Sequence, residues 1–270
     1  RNEITQMALD PATGQPKHYE EQGSFAYKKG HSVQDYYMPI YAGITSTGLP
    51  QWEYYYTEDA SGKKTAIPDL ENWLQVSSND PSSLKQGTTT NYNNATKQFV
   101  GKSAIPDLVG GFGFDLTVHG VTLSSAFSFG LGGYGYDEAY AALMDPSSAI
   151  GSSNWHKDIL DSWSPTNTSG TLPILGSNAS ELSQATSRST RFLTSRSYLN
   201  LSNVRISYDL PKSLVKHVGL ERASVYVSGD NLFLISARKG FVSMSSSSGS
   251  SSSNRYLPMS TITAGVQIKL

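Results

Sequence analysis

The chain has 270 residues and a formal net charge of -1, so nothing overall draws it to nucleic acid or to anionic lipid. It has no cysteine, which excludes disulfides, thiolate zinc sites and cysteine nucleophiles, and no apolar run long enough for a transmembrane helix. Hydrophobic residues make up only 37%, yet aromatics reach 11% with 16 tyrosines and 24 glycines, which fits either an all-β soluble protein or a membrane β-barrel, where only alternate positions face lipid.

The chain opens at Arg1 with no initiator Met, charged leader or apolar leader, and so reads as a processed or truncated piece. Residues 2–8 make a short strand candidate, closed by turn chemistry at Asp10-Pro11-Ala12-Thr13-Gly14. Residues 33–42 and 49–57 are tyrosine-rich strands joined by a tight connection, and residues 58–105 read mostly as loop. The clearest hairpin follows. Leu108, Phe112, Phe114, Leu116 and Val118 alternate with small or polar residues up to His119-Gly120, and Val121, Leu123, Phe127, Phe129 and Leu131 alternate beyond it. Both strands have about the 9–11 residues a tilted strand needs to cross a bilayer.

Residues 132–196 read as a long irregular insertion, 198–210 and 222–235 as strands, and 211–221 as a compact link with room for one helical turn. A loop at 236–259 holds the serine-rich run 245–253. In the last strand, Ile262, Ala264, Val266, Ile268 and Leu270 share one face, and Thr261, Thr263, Gly265, Gln267 and Lys269 the other. Its expected neighbour is 222–235. Connections alternate long and short throughout, the pattern of an outer-membrane barrel with long extracellular loops and short periplasmic turns. This predicts eight antiparallel strands.

No motif builds a catalytic constellation, and no enzyme is expected. Gly130-Leu131-Gly132-Gly133-Tyr134-Gly135 matches a dinucleotide fingerprint in letters, but the upstream strand alternates with polar residues and no acid stands about 20 residues on. The five histidines are scattered without metal spacing, no nucleophile elbow occurs, and Gly101-Lys102-Ser103 lacks the upstream glycine of a phosphate loop. No cofactor or metal is implied. Aromatics are the remaining signal. Trp52, Tyr54, Tyr55 and Tyr56 suit an interfacial girdle, with ligand contact as the alternative for Trp52, Tyr54 and Tyr56. Trp155 and Trp163, in the long insertion, are open to stacking on a sugar or to packing the loop itself.

Ordered motifs carry a resemblance. Ser197-Tyr198-Leu199-Asn200-Leu201-Ser202-Asn203-Val204, after Arg191-Phe192-Leu193, resembles the SYLRLKNI strand of SusC/RagA-type TonB-dependent receptors. Ser207-Tyr208-Asp209-Leu210-Pro211-Lys212-Ser213 and Val225-Tyr226-Val227-Ser228-Gly229-Asp230-Asn231-Leu232-Phe233 are similar to the strands that follow it in that family. Ile105-Pro106-Asp107-Leu108-Val109-Gly110-Gly111-Phe112 and Trp163-Ser164-Pro165-Thr166-Asn167 fit as well. Asn200 stands where the family has Arg, and the chain ends in Leu270 where an aromatic is usual.

The resemblance implies that residues 1–270 are the C-terminal portion of a 22-strand barrel, with the plug domain, TonB box and N-terminal strands outside this chain. It implies an outer-membrane importer of glycans or oligopeptides in a Gram-negative bacterium. The partners it implies are a SusD-like surface lipoprotein, TonB, the rest of the barrel, and membrane lipid and lipopolysaccharide. A non-transporting barrel scaffold for surface proteins and a soluble β-sandwich carbohydrate-binding domain are the alternative readings.

Overall fold

The computed structural model describes residues 2–147, 154–176, 180–241, 250–251 and 259–270. They divide into two compact units, one made of residues 1–104, 134–194 and 247–254, the other of 105–133, 195–246 and 255–270.

The first unit is built from short strands. Strands β1 (Glu20–Gln22), β2 (Phe25–Tyr27), β3 (Asp35–Pro39) and β8 (Lys97–Ser103) form one sheet in that order. In a second sheet β5 (Pro50–Glu58) is central, pairing with β4 (Tyr41–Ile44), β6 (Lys64–Ile67) and β7 (Lys85–Thr89). A third joins β12 (Leu193–Ser195), β11 (Tyr134–Asp137) and β15 (Ser250–Ser251). Two apolar clusters hold the unit, Tyr36, Met38 and Ala104 in one and Tyr136, Ala141, Met144, Ile159 and Phe192 in the other.

The second unit is one antiparallel sheet ordered β16 (Thr261–Lys269), β14 (Arg222–Ser236), β13 (Tyr198–Asp209), β10 (Val121–Leu131) and β9 (Leu108–Val118). β9 and β10 meet at His119-Gly120, where both residues take positive φ, 49° and 82°. That is the turn geometry whose twist suits a two-residue hairpin. The link from β13 to β14 carries the helix Lys212–His217, which ends on Gly219 at positive φ. β16 pairs with β14 from Arg222↔Lys269 to Asp230↔Thr261, as the sequence leads one to expect.

Five of the eight expected strands form this long sheet, and the other three do not join it. Residues 33–42 and 49–57 fold into the first unit as β3, β4 and β5. Residues 2–8 form no strand. Instead Ile4 exchanges backbone hydrogen bonds with His31 (2.8 Å) and Gly30 (2.9 Å). The supposed loop 58–105 contains β6, β7 and β8. β7, Lys-Gln-Gly-Thr-Thr, has no apolar residue, and pairing with β5 makes it extended where its own pattern is silent. The serine run 245–253 lies outside the described residues apart from Ser250–Ser251, which pair parallel to Tyr136–Asp137.

Candidate functional site

The five-strand sheet has one oily and one wet face, and its register sets both out in rows. Val118, Val121, Tyr208, Val225 and Val266 stand opposite one another across the five strands. Leu116, Leu123, Ile206, Val227 and Ala264 make the next row. Higher up, Phe112, Phe127, Leu201 and Phe233 align, with Phe112 and Phe127 stacked at 4.8 Å. Phe114 is 51% exposed and Ile262 75% on this face. Eleven residues of β9 at about 3.3 Å each, tilted by about 45°, give a band about 25 Å tall, the height of a bilayer's hydrocarbon core as barrels meet it.

The opposite face is polar. Thr117, Thr122, Ser207, Tyr226 and Gly265 form one row, and Asp115, Ser124, Arg205, Ser228 and Thr263 the next. Gly265 is required here: a Cβ on it would stand 2.6 Å from the Tyr226 ring and hydroxyl, so the ring lies flat on bare backbone. The Arg205 guanidinium in turn sits 3.9 Å from the Tyr226 ring centroid.

Two register shifts interrupt the ladder, one between β10 and β13 at Ala126/Phe127 and one between β13 and β14 at Leu201/Asn203. Side chains bond across them. Asn200 donates to Ser202 Oγ (3.2 Å) and to Asn231 Oδ1 (3.3 Å), Asn203 donates to Asp230 Oδ1 (2.8 Å), and the Ser128 and Ser202 hydroxyls lie 3.0 Å apart. Asn200 is buried there, with its amide N–H groups donating to both partners.

The sequence's aromatic candidates all lie in the first unit. Trp52, Tyr54 and Tyr56 share one face of β5. Trp52 is wholly buried, edge-on to Tyr41 and Tyr92, with its indole N–H unpartnered among the described residues. Tyr54 and Tyr56 are half-buried and stacked on each other at 5.0 Å beside Gly87, and Lys64 caps the Tyr56 ring at 4.7 Å. Trp155 packs against the Tyr136–Phe192 cluster and donates from Nε1 to the Asp145 carbonyl at 3.1 Å. Trp163 lies on the turn at Gly48, whose φ is +81° and where a Cβ would meet the indole at 2.8 Å. Trp155 thus packs within the insertion, and Trp163 packs against the turn between β4 and β5.

A polar node on the first unit leaves no mark in the local sequence pattern. Asp69 accepts from Tyr37 (2.7 Å) and Tyr19 (2.9 Å) and caps the short helix Leu70–Leu74 through Asn72 N–H (2.9 Å). Buried Glu71 takes Lys28 through both oxygens (2.9 and 2.8 Å) and lies 2.8 Å from His18 Nε2. Burial first, and the bond to Asp69 second, push the Tyr37 hydroxyl well above the usual tyrosine range, and Tyr19 shifts the same way for the same reasons. The partners lie 32 to 53 positions apart, so no local pattern announces them. No group of three or more His, Asp or Glu able to hold a metal occurs among the described residues.

No protein-family model matches the chain. Among curated proteins it is 24% identical over 218 residues to TonB-dependent receptor P3 of Formosa agariphila, matching 80% of this chain and 19% of that protein. It is 29% identical over 133 residues to TonB-dependent receptor P26 of the same organism, matching 49% of this chain and 13% of that one. The chain thus spans about a fifth or less of the length of these relatives. Among solved structures it superposes on the RagAB peptide transporter with a TM-score of 0.69 at 22% identity, over 94% of this chain and 25% of that one. On the RagAB peptide importer in its closed-closed state the TM-score is 0.68 at 23% identity, over 93% and 25%. The matched proteins are receptors and transporters of the outer membrane, not enzymes. In sequence and in fold alike, this largely β chain is similar to part of a TonB-dependent receptor of the outer membrane.

Proposed function

We propose that the chain is the C-terminal portion of the barrel of a SusC-type importer, which takes up glycans or oligopeptides through the outer membrane together with a SusD-like surface lipoprotein. β9, β10, β13, β14 and β16 would be wall strands of a 22-strand barrel, closed by strands outside these residues. TonB would act through a region outside this chain, and membrane lipid and lipopolysaccharide would lie against the wall. The observation that carries the reading is the apolar face across five long strands, on which Phe114, Leu116, Ile206, Val227 and Val266 stand exposed. A soluble sandwich would bury that face under a second sheet. The first unit is proposed as the extracellular, ligand-facing side. There Tyr54 and Tyr56 offer edges and hydroxyls, with Trp52, Trp155 and Trp163 beneath or behind as packing.

The test is energised uptake of a labelled oligosaccharide or oligopeptide pool by cells carrying or lacking the intact gene. Uptake that needs both the gene and TonB supports the importer. Equal uptake with and without the gene, alongside loss of surface proteins from the mutant, would replace it with an anchoring scaffold.

A further inference from the structure

The polar face of the long sheet holds a cleft of about 310 Å³ near the short connections, lined by Arg205, Ser207, Asp209, Arg222, Ser224 and Lys269 among others. Its charges do not cancel. Arg222 donates twice to Asp209, at 2.6 and 3.3 Å, and Lys269 is paired with Glu221 at 2.8–2.9 Å. Arg205 makes no ion pair among the described residues, and Asp230, diagonal to it on β14, already accepts from Asn203. In its own row the acid is Asp115, two strands away and so about 10 Å off at the usual strand spacing.

Arg205 is also held in place. Its guanidinium lies on the Tyr226 ring, and that ring lies on Gly265, so the planar fork is presented with little freedom left to lose. The Ser207 and Ser224 hydroxyls line the same cleft, and neither has a hydrogen-bond partner among the described residues. A half-buried, oriented guanidinium with spare donors and two free hydroxyls beside it is built for a planar anion that accepts two parallel hydrogen bonds.

We propose that this cleft is a carboxylate-binding site, with Arg205 as the bidentate donor, Ser207 and Ser224 as supporting donors, and Tyr226 as the residue that positions Arg205. The site is a property of the sheet's polar face and does not require that the protein transport anything.

The test uses the full-length protein folded in detergent, with two probes in equilibrium dialysis: radiolabelled glutarate for a free small carboxylate, and a dansylated tetraglutamate peptide for a carboxylate carried on polypeptide. The expected result is saturable binding of at least one probe, displaced by unlabelled glutarate and not by neutral glutaramide. Arg205→Gln should abolish it. Arg205→Lys keeps the charge and the aliphatic stem but not the fork, and should weaken binding tenfold or more. Because Arg205→Lys is the milder change, it decides the matter if Arg205→Gln fails to fold. Which probe binds identifies the source of the carboxylate. Absence of saturable binding by both probes, or equal affinity in wild type and Arg205→Lys, overturns the site. Uptake by whole cells is not part of the readout, so failure here and failure of the importer reading are distinguishable.

Discussion

Tyr37 gives the sharpest expectation for a single residue, because one hydroxyl serves two partners. It donates to Asp69 at 2.7 Å and accepts from the Glu71 backbone N–H at 3.1 Å. Tyr37→Phe leaves a buried N–H unpaired and a carboxylate one donor short, and should cost about 1–3 kcal/mol in chemical denaturation of the full-length protein. The pH dependence follows from the raised values of Tyr37 and Tyr19. The folded state favours the protonated phenols, so their contribution is complete below the ordinary value of 10.0 and is lost as pH rises beyond it toward the raised folded values. Alkaline melts of the wild type should fall steeply above about pH 10, and Tyr37→Phe should flatten that fall. A phenolate absorbance titration in which all tyrosines ionise together near their ordinary value would contradict this. At Gly48, alanine would face both a strained positive φ and the Trp163 ring, so Gly48→Ala should destabilise by about 1–3 kcal/mol and change the tryptophan fluorescence.

Among elements, the two-faced strands make an asymmetric prediction. Phe114 stands mid-strand on the apolar face, whereas Ser124 stands mid-strand on the polar one. Phe114→Arg should cost about 2–4 kcal/mol in the membrane-embedded protein, and Ser124→Arg little, read as the fraction migrating in the heat-modifiable folded form. Equal losses would mean that the Phe114 face does not meet lipid. These strands were legible in the sequence because period-two alternation states directly which side chains share a face: β9 and β10 run as the hairpin pattern states, with the predicted turn between them. The first unit was far less legible. Its strands, many of only three to five residues, are polar or mixed, and partners such as Tyr19–Asp69 and Tyr92–Arg188 are brought together by tertiary packing. The aromatic candidates show the same limit. Composition flagged Trp52, Tyr54 and Tyr56, but only the fold reveals that Trp52 is sealed and that Lys64 covers Tyr56.

For the whole molecule, the sheet's two outer strands decide behaviour. β9 and β16 each pair on one side alone among the described residues, leaving rows of backbone donors and acceptors open. A bilayer offers those groups no hydrogen bonds. On the proposed reading of these residues as part of a larger barrel, residues 1–270 expressed alone should therefore fail to give a stable monomeric folded form in detergent, whereas the full-length protein should fold. In the full-length protein, hydrogen exchange should find β13, paired along both sides, among the slowest regions, and slow exchange at β9 and β16 would report that their open sides are filled. Fast exchange at β13 would contradict the register itself.

The paired register shifts carry a consequence for how this wall tolerates change in length. Between matched rows, β13 advances two residues where β10 advances one, and β14 advances three where β13 advances two. The shifts lie side by side, so together they are one crease across three strands, bridged by Asn200, Ser202, Asn203, Asp230 and Asn231. Elsewhere on these strands, a residue gained or lost turns every later side chain from oil to water. At the crease the surplus is already accommodated: Leu199 and Leu201 lie on one side of it and Val204 and Ile206 on the other, and removing Ser202 would restore a single unbroken alternation along β13. Deletion of Ser202 should therefore leave far more folded protein than deletion of Ser125 in the regular part of β10. The crease is where this wall can absorb single-residue insertions and deletions.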